Sequence, residues 1–208
     1  FMKKILSIIF SSVFLMTSAY AGGMIGIKAG TGDLEGKRTS SHDASGGLTE
    51  ASRDSDYGAI FIEANINDGP VSFGLEVVPM EGIIDADPGT STDVQATVSD
   101  LKTLYALVAK EVDIGAVYAK LGYSHADATV KSNYIDTTIT NAPDSLEGPM
   151  VGIGLQINSP LPIIDIIRLE GTYTKFDDLE ITSTSGTTHT RTGEAELTTY
   201  SISLARSF

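Results

Sequence analysis

From Tyr200 to Phe208 the chain alternates almost without a break. Tyr200, Ile202 and Leu204 are bulky and apolar, Ser or Ala stands between them, and the sequence stops on Phe208. A period of two places successive side chains on opposite faces of an extended strand. It cannot gather them on one stripe of a helix, which repeats roughly every 3.6 residues. The rule recurs at Val151-Gly-Ile153-Gly-Leu155-Gln-Ile157 and at Val117-Tyr-Ala119-Lys-Leu121-Gly-Tyr123. The chain therefore reads as all-β, with strands that have one bulky apolar face and one small or polar face.

Applied along the chain, the alternation gives eight strands, near 23–31, 56–66, 70–80, 100–111, 115–126, 148–158, 164–176 and 196–208. Their connections alternate in length. Asn67-Asp68-Gly69 and Val112-Asp113-Ile114 are tight, and Asn158 to Ile163, with Pro160 and Pro162, is slightly longer. Long polar segments near 32–55, 81–99, 127–147 and 177–195 separate them. This rhythm predicts an eight-stranded antiparallel up-and-down transmembrane β-barrel with short periplasmic turns and long outer loops. No stretch beyond the N-terminus approaches the ~20 apolar residues of a membrane helix, so a membrane would be crossed by strands.

The N-terminus reads as an export signal over residues 1–21, with Phe1 extraneous and the barrel domain over 22–208. Lys3 and Lys4 form the basic region, Ile5 to Met16 the apolar region, and Ala19-Tyr20-Ala21 the small-residue cleavage site at Ala19 and Ala21. The expected location is the outer membrane of a Gram-negative bacterium after signal-peptide cleavage. There is no Cys, so disulfides, thiolate metal sites and a lipoprotein anchor are excluded. A formal net charge of −13 argues against nucleic acid, which needs a basic footprint.

Taking the bulky residues as lipid-facing turns outward Ile25, Ile27, Ile60, Ile62, Ile66, Phe73, Leu75 and Val77. On the later strands it turns outward Tyr105, Leu107, Leu121, Tyr123, Val151, Ile153, Leu155, Ile167, Leu169, Tyr173, Ile202 and Leu204. The opposite face then holds Lys28, Glu63, Glu76, Lys102, Lys110, Lys120, Arg168 and Glu170, a lumenal charge network. A charge costs far less paired in a lumen than facing lipid. Glu111, Lys175 and Arg206 are exceptions near strand ends, where a long side chain reaches the interface. The rival is a soluble barrel or sandwich with its apolar face inward. Against it, Gly26, Gly58, Gly74, Gly122, Gly152 and Gly154 join the charged face, which suits a narrow, filled lumen better than a solvated surface.

Three stretches resemble a known family. Val117-Tyr-Ala-Lys-Leu-Gly-Tyr-Ser-His-Ala resembles the fifth strand of the OmpA/OmpX-like and opacity-type outer-membrane barrels. Arg168-Leu-Glu-Gly-Thr-Tyr-Thr-Lys-Phe-Asp-Asp resembles their seventh, and Tyr200 to Phe208 their C-terminal assembly signal, carried by Tyr200, Ile202, Leu204 and Phe208. Arg206 departs from the apolar residue usual there. The match is good over the second half of the chain and is one of pattern alone in the first. The resemblance implies a monomeric barrel inserted by the barrel-assembly machinery and surrounded by outer-membrane lipid and lipopolysaccharide. Roles in that family range over envelope integrity, adhesion, host contact and small-solute passage.

Little in the sequence points to chemistry. The lumenal charges are expected to fill an interior too narrow for an open channel, with a gate or small-ion pore as the alternative. Ser124, His125 and Asp127 sit near one strand end, but Ser124 points away from His125, so no nucleophile meets a base. His42 and His189 have only polar company, and Asp85-Ala-Asp87-Pro-Gly lacks the spacing of a calcium loop. Glu81, Asp85, Asp87 and Asp93 read as a solvated loop face. The Thr-rich stretch Leu179 to Leu197 predicts a protruding hairpin turning at Ser185-Gly186, whose edge could take a surface ligand. The reading is a non-catalytic barrel without cofactor or metal, with a structural or surface-interaction (adhesion-like) role. A narrow porin-like barrel for small solutes is the alternative, and an outer-membrane lipid-modifying enzyme comes third.

Overall fold

The computed structural model describes residues 22–40, 49–66, 69–85, 94–132, 138–140, 143–185 and 187–208. The expected signal segment, with Ala19 and Ala21, lies outside the described residues, as do His42, Asp87 and Asp93. The described chain holds strands β1 (Gly23–Ser40), β2 (Thr49–Asn65), β3 (Val71–Asp85), β4 (Val94–Val112), β5 (Gly115–Ser132) and β6 (Thr138–Thr140). They are followed by β7 (Ser145–Asn158), β8 (Ile166–Lys175), β9 (Leu179–Ser185) and β10 (Thr187–Ser207). Eight of these, all but β6 and β9, pair antiparallel with their neighbours, and β10 returns to β1 to close a barrel. β9 folds back on the upper part of β10, from Leu179↔Gly193 to Ser185↔Thr187, and β6 adds to its edge at Thr138↔Thr184. That is the protruding hairpin the Thr-rich stretch predicts.

Following cross-strand partners around the wall from Met24 passes Glu63, Gly74, Tyr105, Gly122, Met150, Thr174 and Leu197 and comes back to β1 at Leu34, ten residues along. Such a stagger tilts the strands typically ~35–45° from the axis. It leaves an interior that side chains just fill.

At one end, which we call the turn end, the connections are short. Asp113 and Ile114 join β4 to β5, with Val112 facing Gly115. Gly115 takes a φ of 150°, where an added Cβ would lie 2.0 Å from the Gln156 carbonyl oxygen, so only glycine fits this turn. Between β7 and β8, Ser159 N donates to Asp165 O at 2.8 Å across Pro160 and Pro162. At the other, loop end, the strands run well past the boundaries expected from sequence. β1 continues to Ser40 and β5 to Ser132, so much of the polar segments 32–55 and 127–147 is strand.

Most outward residues lie where the alternation puts them, but β4 is reversed. Tyr105 and Leu107, expected to face lipid, are buried inside the barrel, while Leu104, Ala106 and Val108 face out. Lys102 and Lys110 therefore also lie on the outer face, half-buried and exposed respectively, and do not belong to the interior. The reason is that β4 is apolar on both faces, so bulk alone does not choose between them. Each lysine is near an end of the strand's apolar stretch, where its long stem can carry the charge to an edge. Gly58, expected inside, lies on the exposed face with Ile60.

Candidate functional site

The interior is layered. Met24, Phe61, Ile166 and Ala205 form an apolar cluster at the turn end. Above it lie two linked charge groups. Lys28 and Lys120 each sit between Glu76 and Glu170, with Nζ–O distances of 2.6 and 2.5 Å for Lys28 and 2.9 and 3.1 Å for Lys120. This is a square of alternating charge. Arg168 grips Glu63 with both Nη atoms, at 2.5 and 2.9 Å, while its Nε donates to Gln156 Oε1 at 3.0 Å. Three bases meet three acids, so the group is neutral as a whole.

Two tyrosines tie the groups together. Tyr105 OH donates to Glu63 at 2.7 Å while its ring lies 3.9 Å beneath the Lys120 ammonium. Tyr118 OH donates to Glu170 at 3.0 Å while its ring faces the Arg168 guanidinium at 5.2 Å. Each tyrosine thus bonds an acid of one group and stacks on a base of the other. Room for the rings comes from the next strand. A Cβ on Gly74 would fall 2.4 Å from Tyr105 Cζ, and one on Gly154 2.3 Å from Tyr118 Cζ. The network draws on every barrel strand but β10, so it pins the wall to itself across the lumen.

Of the charges expected inside, Lys28, Glu63, Glu76, Lys120, Arg168 and Glu170 are brought together here and buried; Lys102 and Lys110 are not. Tyr105, Tyr118 and Gln156 were not foreseen. Tyr118 shares parity with Lys120, and that was a usable signal; Tyr105 had none beyond Gly74 on the neighbouring strand. A hydroxyl layer follows above, with Thr103 and Ser124 Oγ atoms 2.9 Å apart and those of Thr172 and Thr199 2.7 Å apart. The loop end is then stopped by Phe176, Leu146, Ala126 and Ala195, with Leu34, Val98, Leu101 and Leu197 packed against them.

Ser124 is inside and His125 outside the wall, where the imidazole meets Glu147 at 3.0 Å and Asp127 at 3.6 Å. The Ser124 hydroxyl is bonded to Thr103 instead of a base. Among the described residues no group of three or more His, Cys, Asp or Glu could hold a metal ion. At the chain's end Tyr200, Ile202 and Phe208 are exposed outward and Leu204 is half-buried. Phe208 and Gly23 exchange both backbone hydrogen bonds, at 2.9 and 3.0 Å, and Arg206 lies exposed near this turn end.

The architecture has solved counterparts. The outer membrane protein OprG from Pseudomonas aeruginosa superposes with a TM-score of 0.57 at 10% identity, over 90% of this chain and 97% of that one. The outer membrane protein AlkL, solved in DMPC lipid bilayers, superposes with a TM-score of 0.60 at 14% identity, over 92% of each chain. The chain has the fold of these outer-membrane barrels. No protein-family model matches it. No curated protein matches it either.

Proposed function

We propose that this barrel is integral to the outer membrane of a Gram-negative bacterium, is closed along its axis, and serves a structural or surface-interaction role without catalysis. The observation that carries the reading is the contrast between its two sides. Ile27 is 60% exposed, Leu121 64% and Ile153 73%, in a belt of apolar side chains around a lumen of buried, mutually paired charges. An exposed apolar surface of that extent is rare on a protein that lives in water, and a soluble barrel would place its charges outside and its apolar residues within. In lipid the same distribution is the favourable one.

The layers support the closed axis. A solute travelling through would have to part the charge square, leaving ammonium and carboxylate groups uncompensated in a poorly solvated interior. It would then meet the apolar stopper around Phe176. The surface role rests on the loop end, where β9 and β10 stand beyond the barrel and, among the described residues, β6 pairs on one edge only. Such an edge can receive an extended segment of another protein, which is an adhesion-like contact. On this reading lipopolysaccharide surrounds the loop half, and the terminal strand, with Tyr200, Ile202, Leu204 and Phe208, is what the barrel-assembly machinery recognises.

Cell fractionation and gel migration before and after boiling test the placement. The protein should pellet with outer membranes and migrate differently once boiled; a soluble protein with a single mobility would defeat the proposal. Planar-bilayer recordings test the closed axis, since steady single-channel openings would contradict it.

A further inference from the structure

The outward face holds a feature that a uniform lipid-coated wall does not require. A furrow of about 830 Å³ crosses it diagonally, with Lys110 and Val108 at one end and Tyr200 at the other. Its course follows a single row of cross-strand partners, Val108↔Ala119↔Ile153↔Gly171↔Tyr200. The row is low at Ala119 and Gly171 and rises between them at Ile153, which is 73% exposed, while rows above and below carry Leu121, Val151 and Leu169. Gly171 differs in kind from Gly74 and Gly154. A Cβ there would meet nothing nearer than the Tyr200 ring at 3.6 Å, so the glycine is not required by a close neighbour and leaves open space.

At strand spacings of roughly 4.8 Å, the row across five strands is about 19 Å long. That is slightly more than half of a ~30 Å hydrocarbon core, and a chain laid along it from the turn end would reach the loop-side edge of the apolar belt at Tyr200. The furrow begins at a cation. Lys110 is exposed beside the turn end and forms no ion pair with any described residue; of the nearby acids, Glu111 follows it on β4 and Asp113 sits on the turn. An apolar trough that opens on an unpaired ammonium fits an amphiphile with a negative head.

We propose that the furrow seats one acyl chain of an anionic phospholipid from the turn-side leaflet, with its phosphate held by Lys110. The ligand class is a phospholipid with net negative charge, bound by one contact of each kind, and the site rests on the membrane placement proposed above. It adds a defined lipid to a wall otherwise bathed in exchanging ones.

The test is native mass spectrometry of the refolded full chain, released from micelles loaded with phosphatidylglycerol or phosphatidylcholine. Wild type should retain one phosphatidylglycerol, about tenfold more often than phosphatidylcholine. Lys110→Gln should erase the preference, and Gly171→Leu, which fills the furrow, should lower retention of both lipids. Equal retention of the two lipids by wild type, or unchanged retention in Gly171→Leu, would overturn the site. Gel migration before and after boiling is read on every sample. A wild type that shows no heat-dependent shift fails the membrane reading itself, whereas a normal shift without selective lipid retention fails only the furrow. If Gly171→Leu does not fold, Ala119→Leu fills the other half of the same trough and decides the matter.

Discussion

On the turn side β5 sends Val117, Ala119, Leu121 and Tyr123 outward and Tyr118 and Lys120 inward; three residues later the same strand sends Asp127 and Thr129 outward and Ala126 and Ala128 inward. β1 and β10 make the same exchange. β1 goes from Ile25 and Ile27 outside and Lys28 inside to Glu35 outside and Leu34 inside. β10, followed upward from its end, goes from Ile202 outside and Ser203 inside to Glu194 outside and Ala195 inside. One continuous wall thus encloses the buried charges and is apolar without over its turn half, and is apolar within and polar without over its loop half. The change falls at the level of outward Tyr123, Tyr173 and Tyr200, the residue type favoured where apolar and aqueous surroundings meet. Strand pairing is indifferent to this exchange, because the backbone ladder satisfies its own donors and acceptors in either setting. What differs is which face water reaches. On the proposed reading the turn half stands in lipid and the loop half in water, each hiding from its surroundings the face that would be costly there.

The two halves should fail differently when their interiors are cut. Glu63→Ala leaves the buried Arg168 guanidinium without its carboxylate. It should cost about 3–5 kcal/mol of stability, read as a lower urea midpoint for unfolding from vesicles. Loss of less than 1 kcal/mol would mean that the charge network does not hold the wall. Phe176→Ala opens a cavity in the loop-side stopper and should cost about 3 kcal/mol. Hydrogen exchange should then quicken in β9 and the upper part of β10, while amides from Met24 to Lys28 keep their protection. Uniform loss of protection along β1 would show the halves to be one cooperative unit.

The sequence was readable in the turn half and opaque in the loop half for the same reason. A period of two identifies a strand wherever its faces differ, so the turn-side pattern of Ile25, Ile27 and Lys28 or of Leu121 and Lys120 shows both element and face. Above the tyrosines the period continues but its polarity flips, and polar residues facing water resemble loop. Hence 127–147 read as loop although β5 runs to Ser132. β4 was opaque for another reason. Leu104, Ala106 and Val108 on one face rival Tyr105 and Leu107 on the other, and choosing the bulkier set carried Lys102 and Lys110 inside by parity. A register shift between Ser99 and Lys102 adds to this. Asp100 sits there at φ 52°, a conformation that short polar side chains tolerate, and the extra residue turns Val98 inward although Lys102, four residues on, faces out. Bulges leave no mark on composition. In the candidate site the ionic members were legible because charge opposite an apolar face has few explanations; Tyr105 was not, because a tyrosine suits either face.

The outer faces offer the next comparison. Ile153→Arg puts a charge in the middle of the apolar belt and should cost about 2–4 kcal/mol in a bilayer. Asp127→Arg, on the same side of the wall but above the tyrosines, should stay within about 0.5 kcal/mol, as exposed substitutions generally do. Urea unfolding from vesicles reads both. Equal costs would remove the boundary between the halves, and a costly Asp127→Arg would place it nearer the loop end.

A smaller loss than that of Ile153→Arg tests the coupling inside the turn half. Tyr105→Phe keeps the ring under the Lys120 ammonium and removes only the hydroxyl that donates to Glu63. Because Arg168 still grips that carboxylate with two bonds, the acid is left under-bonded and not orphaned, and the loss should be about 1–2 kcal/mol. Gly74 leaves room for the ring in either variant, so no cavity or clash confuses the measurement. Tyr105→Leu removes the hydroxyl and the stacked ring together and should cost more. A double-mutant cycle pairing Tyr105→Phe with Lys120→Met then separates the two ties, since the hydroxyl reaches one charge group and the ring the other. If the effects simply add, the square and the Arg168–Glu63 pair are independent braces; a coupling energy above about 0.5 kcal/mol makes them a single network.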